Sequence, residues 1–205
     1  MKDIFPTPGG SVTVTDEMCD MNGHMNVRFY QTIPMDYEGN FYHSLGFGED
    51  YISKGYSSFT IEQNISYLKE CLKGEVLTPR FRMLNVNKKL YHYVCAICKE
   101  NDEVAALVET VEIHIDMSIR KSSEMSDDIF KIMADMKKDH DSSAPYPFDV
   151  KLKIKSSFII ASSSKTKIGS LSSTHFSQSR LWLIKQAASV RDKPGLLFNL
   201  ADSGS

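Results

Sequence analysis

One short segment of the chain gathers side chains that could carry catalysis: Asp20-Met21-Asn22-Gly23-His24-Met25-Asn26. A carboxylate such as that of Asp20 can act as a nucleophile or as a general base. Gly23 has no Cβ and suits a position where the backbone comes close to a substrate. His24 could take part in acid–base chemistry or orient the loop. The alternative, which composition alone favours, is an Asx-rich turn that caps a helix through Asn26.

A helix that begins directly after this segment would position it. Asn26 could cap a helix from Val27 to about Leu45, whose unpaired N-terminal amides could stabilise a developing oxyanion. Pro34 lies inside that range. Because proline has no amide donor, we expect it to kink the helix or to end its first turns. Gly46 suits the end of the helix.

The order of the remaining elements predicts the fold class. A β-branched segment precedes the helix, and alternating apolar residues predict four consecutive strands after it, followed by a helix that opens at Ser126. The strands are predicted at Ser11–Thr15, Ser57–Leu68, Glu75–Asn85, Leu90–Lys99 and Val104–Met117. Runs of strands after one helix indicate an α+β fold with an antiparallel sheet.

Composition predicts an ordinary globular protein. The 205 residues are 41% hydrophobic and 24% charged, which excludes a disordered chain and a coiled-coil rod. The apolar runs are too short to span a bilayer and the N-terminus has no apolar signal-peptide core, so we expect a cytoplasmic protein. The net charge of −2 argues against nucleic-acid binding. Cys95 and Cys98 lie three residues apart on a predicted strand, so we expect core cysteines rather than a zinc site.

Residues 156–205 differ in composition from the rest of the chain. They carry a charge of +4 and 13 serines, whereas residues 1–155 carry a charge of −6. We therefore predict a domain at 1–155 and a Ser-rich basic tail of unknown role at 156–205, with the boundary near Lys155. The tail could be a lineage-specific extension or the product of an altered reading frame. Its segment Leu181–Ile184 could form a short amphipathic helix, but we expect no membrane association.

The segment from Asp20 to Asn26, together with Tyr30, resembles the Asp-x-x-Gly-His-x-Asn signature of hotdog-fold acyl-CoA thioesterases of the 4-hydroxybenzoyl-CoA type. Later matches resemble the subgroup that hydrolyses betainyl-CoA in carnitine breakdown, and they are Gly55–Glu62, Lys89–His92, Glu112–Asp116 with Arg120, and Ala144–Pro147. The resemblance covers about residues 11–155. It implies an α+β hotdog fold, an antiparallel sheet wrapped around one central helix, plus a C-terminal helix and tail.

The resemblance also implies roles for the residues of the first motif. Asp20 would attack the thioester carbonyl or activate a water, and the sequence leaves both routes open. Backbone amides around Gly23–Met25 would bind and polarise the thioester oxygen, with His24 and Asn26 beside them. Family members form the site between two subunits, so we expect a homodimer or homotetramer acting on an acyl-CoA. No metal-ligand set is evident, and we expect a hydrolase that uses neither metal nor cofactor.

Several polar residues later in the chain could belong to the active site or could have only a structural role. Glu62 could face the partner's Asp20 or point to solvent from an alternating strand. Arg120 could bind the phosphates of coenzyme A or belong to a solvated basic loop. His114 and Asp116 share one face of a strand and are expected to form a side-chain hydrogen bond or none.

The subgroup resemblance implies a short acyl group that carries a quaternary ammonium. Such a cation would lie against aromatic faces with a carboxylate nearby. Tyr30, Tyr56, Phe59 and Glu62 could form that site, or they could be core and interface residues. We hypothesise a preference for betainyl-CoA over a neutral acyl-CoA of equal size. The alternative function is a non-catalytic hotdog module that binds acyl-CoA or only dimerises.

Overall fold

The computed structural model describes residues 1–154, and its centre is one antiparallel β-sheet. The strands in this part of the chain are β1 (Thr7–Pro8), β2 (Val12–Thr13), β3 (Tyr56–Tyr67), β4 (Val76–Val86), β5 (Leu90–Lys99), β6 (Val104–Asp116) and β7 (Lys121–Ser122). Their order is β1-β4-β5-β6-β3, with β2 beside β4 and β7 beside β6. The helices are α1 (Val27–Asp36), α2 (Gly39–Ser44), α3 (Glu49–Ser53) and α4 (Asp127–Ser143), with a 3-10 turn at Asp16–Met18. Within residues 1–154 no helix is long and apolar enough to cross a membrane.

The four long strands form where the sequence predicts them, so the α+β class with an antiparallel sheet is confirmed. Neighbouring long strands all pair in antiparallel register, β4 with β5, β5 with β6 and β6 with β3. Among residues 1–154, β3 pairs on one side only, with β6. It is therefore an edge strand with unpaired backbone groups along its outer side.

Both faces of the sheet are covered, and β5 and β6 are buried along almost their whole length. On the helix face, Phe41 of α2 stacks on Phe81 with ring centroids 4.7 Å apart and lies 5.1 Å from Tyr93. On the outer face, aromatic rings of the segment 144–154 pack around Phe5. Each large apolar side chain that is fully buried in this way contributes roughly 1.5–3 kcal/mol.

The two cysteines of β5 belong to the core, as predicted. Cys95 packs in the helix-face cluster and Cys98 in the outer-face cluster, so the strand directs them to opposite sides. Burial raises the pKa of the Cys98 thiol to about 11. Both thiols are free and buried, which fits packing rather than reactivity.

The prediction of one helix from Val27 to about Leu45 is wrong, because the structure has two helices, α1 and α2, in that range. Pro34 lies inside α1 and has no N–H to donate to the preceding turn. The helix ends shortly afterwards at Tyr37, which has φ −118 and ψ 13 and donates its N–H to the Ile33 carbonyl. The chain then turns and α2 begins.

A buried histidine, His140, fixes α4 to the sheet. Ser126 caps the helix, as expected, by accepting the Ile129 N–H at 3.4 Å. Near its other end, His140 Nδ1 accepts the Met83 N–H at 2.9 Å, next to a bulge in β4. His140 Nε2 lies 3.2 Å from Thr7 Oγ1. The imidazole is therefore neutral, with its proton on Nε2, and it joins α4, β4 and β1.

Acidification should destabilise the fold through His140. Burial, with the positive charge of Arg82 as a smaller cause, lowers the pKa of His140 from 6.5 to about 4. The unfolded chain binds this proton below about pH 6.5, so the free energy of unfolding decreases as the pH falls from about 6.5 to about 4. Burial also lowers the pKa of His92 and of His114, which adds to the same trend. We expect the drop in Tm between pH 7 and pH 5 to be smaller in His140→Gln, and equal drops would contradict this role.

The predicted tail and its segment Leu181–Ile184 lie outside the described residues. The clusters that form the core on both faces of the sheet are built from residues 5–154. We therefore expect a chain truncated after Lys155 to fold with a Tm close to that of the full chain, since it keeps all of these contacts. A truncated chain that is insoluble or melts much earlier would mean that residues 156–205 contribute to the core.

Candidate functional site

The segment predicted to carry chemistry forms a tight, exposed loop between the 3-10 turn and α1. A bridge between Cys19 and Met25 closes the loop. Inside it, the Asp20 N–H donates to the His24 carbonyl at 2.8 Å, and the Gly23 N–H donates to the Asp20 carbonyl at 3.0 Å. Gly23 has φ +76, a conformation that glycine adopts without strain. The backbone of the loop therefore holds its own shape.

The carboxylate of Asp20 is fixed through one of its two oxygens. Oδ1 accepts the N–H of Asn22 at 2.8 Å and that of His24 at 3.2 Å. These backbone donors, that of Asn22 first, lower the pKa of Asp20, which is an exposed residue. Within residues 1–154 both backbone donors go to Oδ1, and Oδ2 accepts no backbone N–H. The side chain of Asn22 also lowers the pKa of the carboxyl group, so Asp20 is an ionised, oriented carboxylate with one oxygen free of backbone donors.

The amides around Gly23–Met25 are already bonded within the chain, which differs from their predicted role. Gly23 and His24 donate to Asp20, and Met25 donates to the Cys71 carbonyl at 2.8 Å. Val27, the first residue of α1, has an N–H that meets no acceptor in the described part of the chain. The open donor of this site is therefore one residue beyond the motif, at the N-terminus of α1.

The other residues of the motif fix the loop to α1 and to the chain after β3. Asn26 caps α1, as predicted, because its Oδ1 accepts the Arg28 N–H at 3.1 Å. His24 Nε2 lies 3.3 Å from Glu70 Oε2, and both side chains are exposed. The buried Tyr30 ring meets Tyr67 edge-on at 5.1 Å. Asp20, Gly23, His24, Met25, Asn26 and Tyr30 thus lie together beside the C-terminal end of β3.

Exposed apolar side chains flank this loop. They come from the loop itself, the start of α1 and the chain at the end of β3, and they are Met21, Val27, Tyr67, Leu68 and Leu72. Exposed apolar side chains that group together are typical of a binding surface or an interface. The loop that carries Asp20 is therefore flanked by side chains suited to further contacts.

The later predicted residues lie at the other end of β3. Tyr56 begins the strand and lies on the helix face, where its ring is 5.3 Å from that of His114. Phe59 packs on the outer face, and the exposed Glu62 pairs in register with Val111 of that face. Arg120 lies in the exposed turn after β6 with φ +50. Within one chain, these residues therefore lie at the opposite end of β3 from the Asp20 loop.

His114 and Asp116 form hydrogen bonds with different residues, and none joins the two side chains. His114 Nδ1 lies 2.9 Å from Ser123 Oγ. Asp116 Oδ1 accepts the Ser118 N–H at 2.9 Å, which closes the turn after β6. Both residues therefore act locally.

A buried carboxylate surrounded by tyrosines lies on the helix face near Tyr56. Glu112 Oε1 accepts the Tyr42 hydroxyl at 2.7 Å and the Tyr93 hydroxyl at 3.3 Å, and Oε2 accepts the Tyr91 hydroxyl at 2.5 Å. Thr60 on the edge strand donates to Oε1 at 3.3 Å. We call these five residues the Glu112 cluster.

Glu38 lies just before α2, close enough to Glu112 for the two carboxyl groups to interact electrostatically. Burial, followed by the negative charges of Glu112 and Asp36, raises the pKa of Glu38 to about 9. Glu38 is therefore uncharged at neutral pH.

The sequence predicts no role for Glu112, whereas the amide of Val27 belongs to the helix N-terminus that is expected to stabilise an oxyanion. The signal for Glu112 is its position between Val111 and Ile113 in a strand with few polar residues, because a buried charge needs compensating groups. Tyr91 and Tyr93 alternate on the neighbouring strand and could have been assigned to the same face. Val27 offers no side-chain signal, since its role comes from its backbone.

The sequence matches one protein-family model. The model describes the thioesterase-like superfamily, and the match covers residues 12–133. The matched range includes the Asp20 loop, the whole of α1 and the four long strands.

Two relatives carry the same double name, L-carnitine dehydrogenase/betainyl-CoA thioesterase. The protein of Agrobacterium fabrum is 30% identical over 106 residues, which is 52% of this chain and 22% of that protein. The protein of Rhizobium meliloti is 28% identical over 104 residues, 50% of this chain and 21% of the relative. The chain thus covers about a fifth of the length of these curated relatives.

Solved structures share the fold. A hypothetical protein of Staphylococcus aureus, solved in complex with CoA, superposes with a TM-score of 0.62 at 25% sequence identity. The superposition covers 72% of this chain and 93% of that protein's chain. The DHNA-CoA thioesterase of the same organism superposes with a TM-score of 0.59 at 17% sequence identity, over 67% of this chain and 95% of that enzyme's chain. The hotdog fold expected from the sequence is confirmed by these similarities.

Proposed function

The chain belongs to the thioesterase-like superfamily, and from this we propose that it hydrolyses an acyl-CoA to a free acid and CoA. The observation that carries the proposal is the geometry of the Asp20 loop, in which an ionised carboxylate, with one oxygen free of backbone donors, lies in the loop that leads into the N-terminus of α1. The similar structure solved with CoA supports the class of substrate.

Asp20 supplies the negative charge that the reaction requires. Its free oxygen either attacks the thioester carbonyl carbon or takes a proton from an attacking water, and both routes release the same products. Because its pKa is lowered, the carboxylate stays ionised throughout the neutral range. Loss of activity from protonation of this group is expected only under strongly acidic conditions.

The N–H of Val27 is the donor we propose for the thioester oxygen. Attack on the carbonyl builds negative charge on that oxygen, and a fixed N–H stabilises it. The partial positive charge at the N-terminus of α1 acts in the same direction. The oxyanion thus gains a donor that requires no rearrangement during the reaction.

A homodimer would complete the site. The 12 residues of β3 span about 36 Å, so the Tyr56 end of one chain is far from its own Asp20 loop. Two copies of β3 paired antiparallel across a two-fold axis would bring the Tyr56 end of one chain beside the Tyr67 end of the other. Tyr56 would then lie near the partner's Asp20, with Arg120 available to the CoA phosphates. This pairing would also cover the exposed edge of the sheet.

We propose betainyl-CoA as the substrate, on the basis of the relatives' names. The test is release of free CoA thiol from a panel of acyl-CoAs that includes betainyl-CoA, short neutral acyl-CoAs and an aromatic acyl-CoA. We expect turnover, with the highest kcat/KM for betainyl-CoA. Faster hydrolysis of a neutral or aromatic member would remove the betainyl assignment, and no turnover of any member would support a binding module instead.

A further inference from the structure

Glu112 is a buried carboxylate without a protein cation. It is 4% exposed. The ion pairs formed among residues 1–154 all use other carboxylates. Its hydrogen-bond partners are neutral hydroxyl groups, those of Tyr42, Thr60 and the two tyrosines of β5. Buried charges are usually paired with an opposite charge, so this one leaves a position for a cation.

The cluster reaches the surface at the edge strand. Thr60, which donates to Glu112, is exposed, and Ser58, which lies 2.9 Å from the Tyr91 hydroxyl, is half-buried. Both belong to β3, the strand with one unpaired edge. The small polar side chains of Ser58 and Thr60 are therefore what separates Glu112 from the surface on the helix face of β3.

Aromatic rings surround the same position. Phe47 lies 5.7 Å from Tyr91 and 4.3 Å from Tyr51, measured between ring centroids. Tyr51 is in turn 5.9 Å from Tyr56, at the start of the edge strand. Aromatic faces attract cations through the negative charge of their π-systems. The Glu112 carboxyl group thus lies next to a run of aromatic rings that reaches the start of the edge strand.

The occupied lone pairs of Glu112 determine which kind of cation fits. A carboxylate accepts about four hydrogen bonds, and Glu112 already accepts four from hydroxyl groups, three at Oε1 and one at Oε2. A primary ammonium or a guanidinium would compete with these donors for the lone pairs. A quaternary ammonium has no N–H, so it interacts through charge and aromatic contact alone and leaves the hydroxyl donors in place.

The geometry points to the Glu112 cluster as the site for a quaternary ammonium at the end of the acyl group, an inference that rests on the proposed thioesterase function. The cluster is at the end of β3 that a two-fold pairing would bring to the partner's Asp20. In this arrangement the carboxylate that recognises the cation is Glu112 on the helix face, whereas Glu62 lies on the outer face and Tyr30 at the other end of β3.

The experiment compares betainyl-CoA with 3,3-dimethylbutanoyl-CoA, in which a carbon replaces the quaternary nitrogen. The two substrates have the same shape and differ in charge, so the ratio of their kcat/KM values isolates recognition of the cation. We expect wild type to favour betainyl-CoA by at least about tenfold, and Glu112→Gln to reduce that ratio by about tenfold or more. The glutamine keeps the size and an acceptor oxygen while it removes the charge.

The matched control is Glu109→Gln, a buried glutamate on the outer face of the same strand that pairs with His92. It should leave the ratio unchanged. An unchanged ratio in Glu112→Gln would overturn the inference, and so would a wild type that hydrolyses both substrates equally. If Glu112→Gln does not fold, a wild-type ratio near one still overturns the inference.

Direct binding separates this inference from the proposed function. Tetramethylammonium should bind wild type, as followed by saturation-transfer NMR, and bind Glu112→Gln at least about tenfold more weakly. A wild type that hydrolyses no acyl-CoA would refute the proposed function, while binding of tetramethylammonium that depends on Glu112 would still support the cation site. Absent binding, or equal binding by the two proteins, would overturn the site.

Discussion

Replacement of Asp20 by asparagine is expected to slow thioester hydrolysis by about 10²–10⁴-fold while the protein stays folded. Asparagine keeps an Oδ1 that can accept the N–H groups of Asn22 and His24, so the loop retains its closing contacts. It loses the negative charge that either attack on the carbonyl or proton transfer from water requires. The measurement is kcat by thiol release, together with Tm and the affinity for CoA.

Asp16→Asn is the matched control for this experiment. Asp16 is an exposed aspartate just before the same loop, and its carboxylate pairs with Lys73. Its replacement changes the net charge equally and should leave kcat unchanged. A kcat of Asp20→Asn close to that of wild type would contradict both proposed routes.

The strands of this fold could be predicted from the sequence because each long strand carries its own signal. In β4, buried and less buried positions largely alternate, and β5 is rich in apolar and aromatic residues. Turn residues separate the two strands. The break between α1 and α2 was harder to predict. Pro34 indicates a disturbance, but whether a helix kinks or ends there depends on how Tyr37 and the next turn pack.

The candidate site could be predicted in part. A contiguous motif such as the Asp20 loop is visible in the sequence because its members are neighbours in the chain. The Glu112 cluster combines residues from α2, β3, β5 and β6, and only the register of those strands brings them together. Strict alternation along β3 would place Glu62 on the same face as Tyr56, but the bulge between Thr60 and Glu62 pairs Glu62 with Val111 of the outer face.

The second large effect is expected from removal of one backbone N–H, by Val27→Pro. Proline is favoured at the first position of a helix, where the N–H has no helical partner. Asn26 has φ −61 and ψ 141, a conformation that a residue before proline adopts readily. The substitution should therefore preserve α1 and its cap while it removes the proposed oxyanion donor. We expect kcat to fall by about 10²–10³-fold, with a much smaller change in KM.

Val27→Ala separates the amide from the side chain. Alanine keeps the N–H and removes only a side chain that is 63% exposed, so its kcat should stay close to that of wild type. Both variants should melt near the wild-type temperature, because neither disturbs a buried contact. If Val27→Pro retains the kcat of Val27→Ala, the thioester oxygen is stabilised elsewhere. The N-terminus of α1 would then serve to hold the Asp20 loop rather than to bind the developing charge.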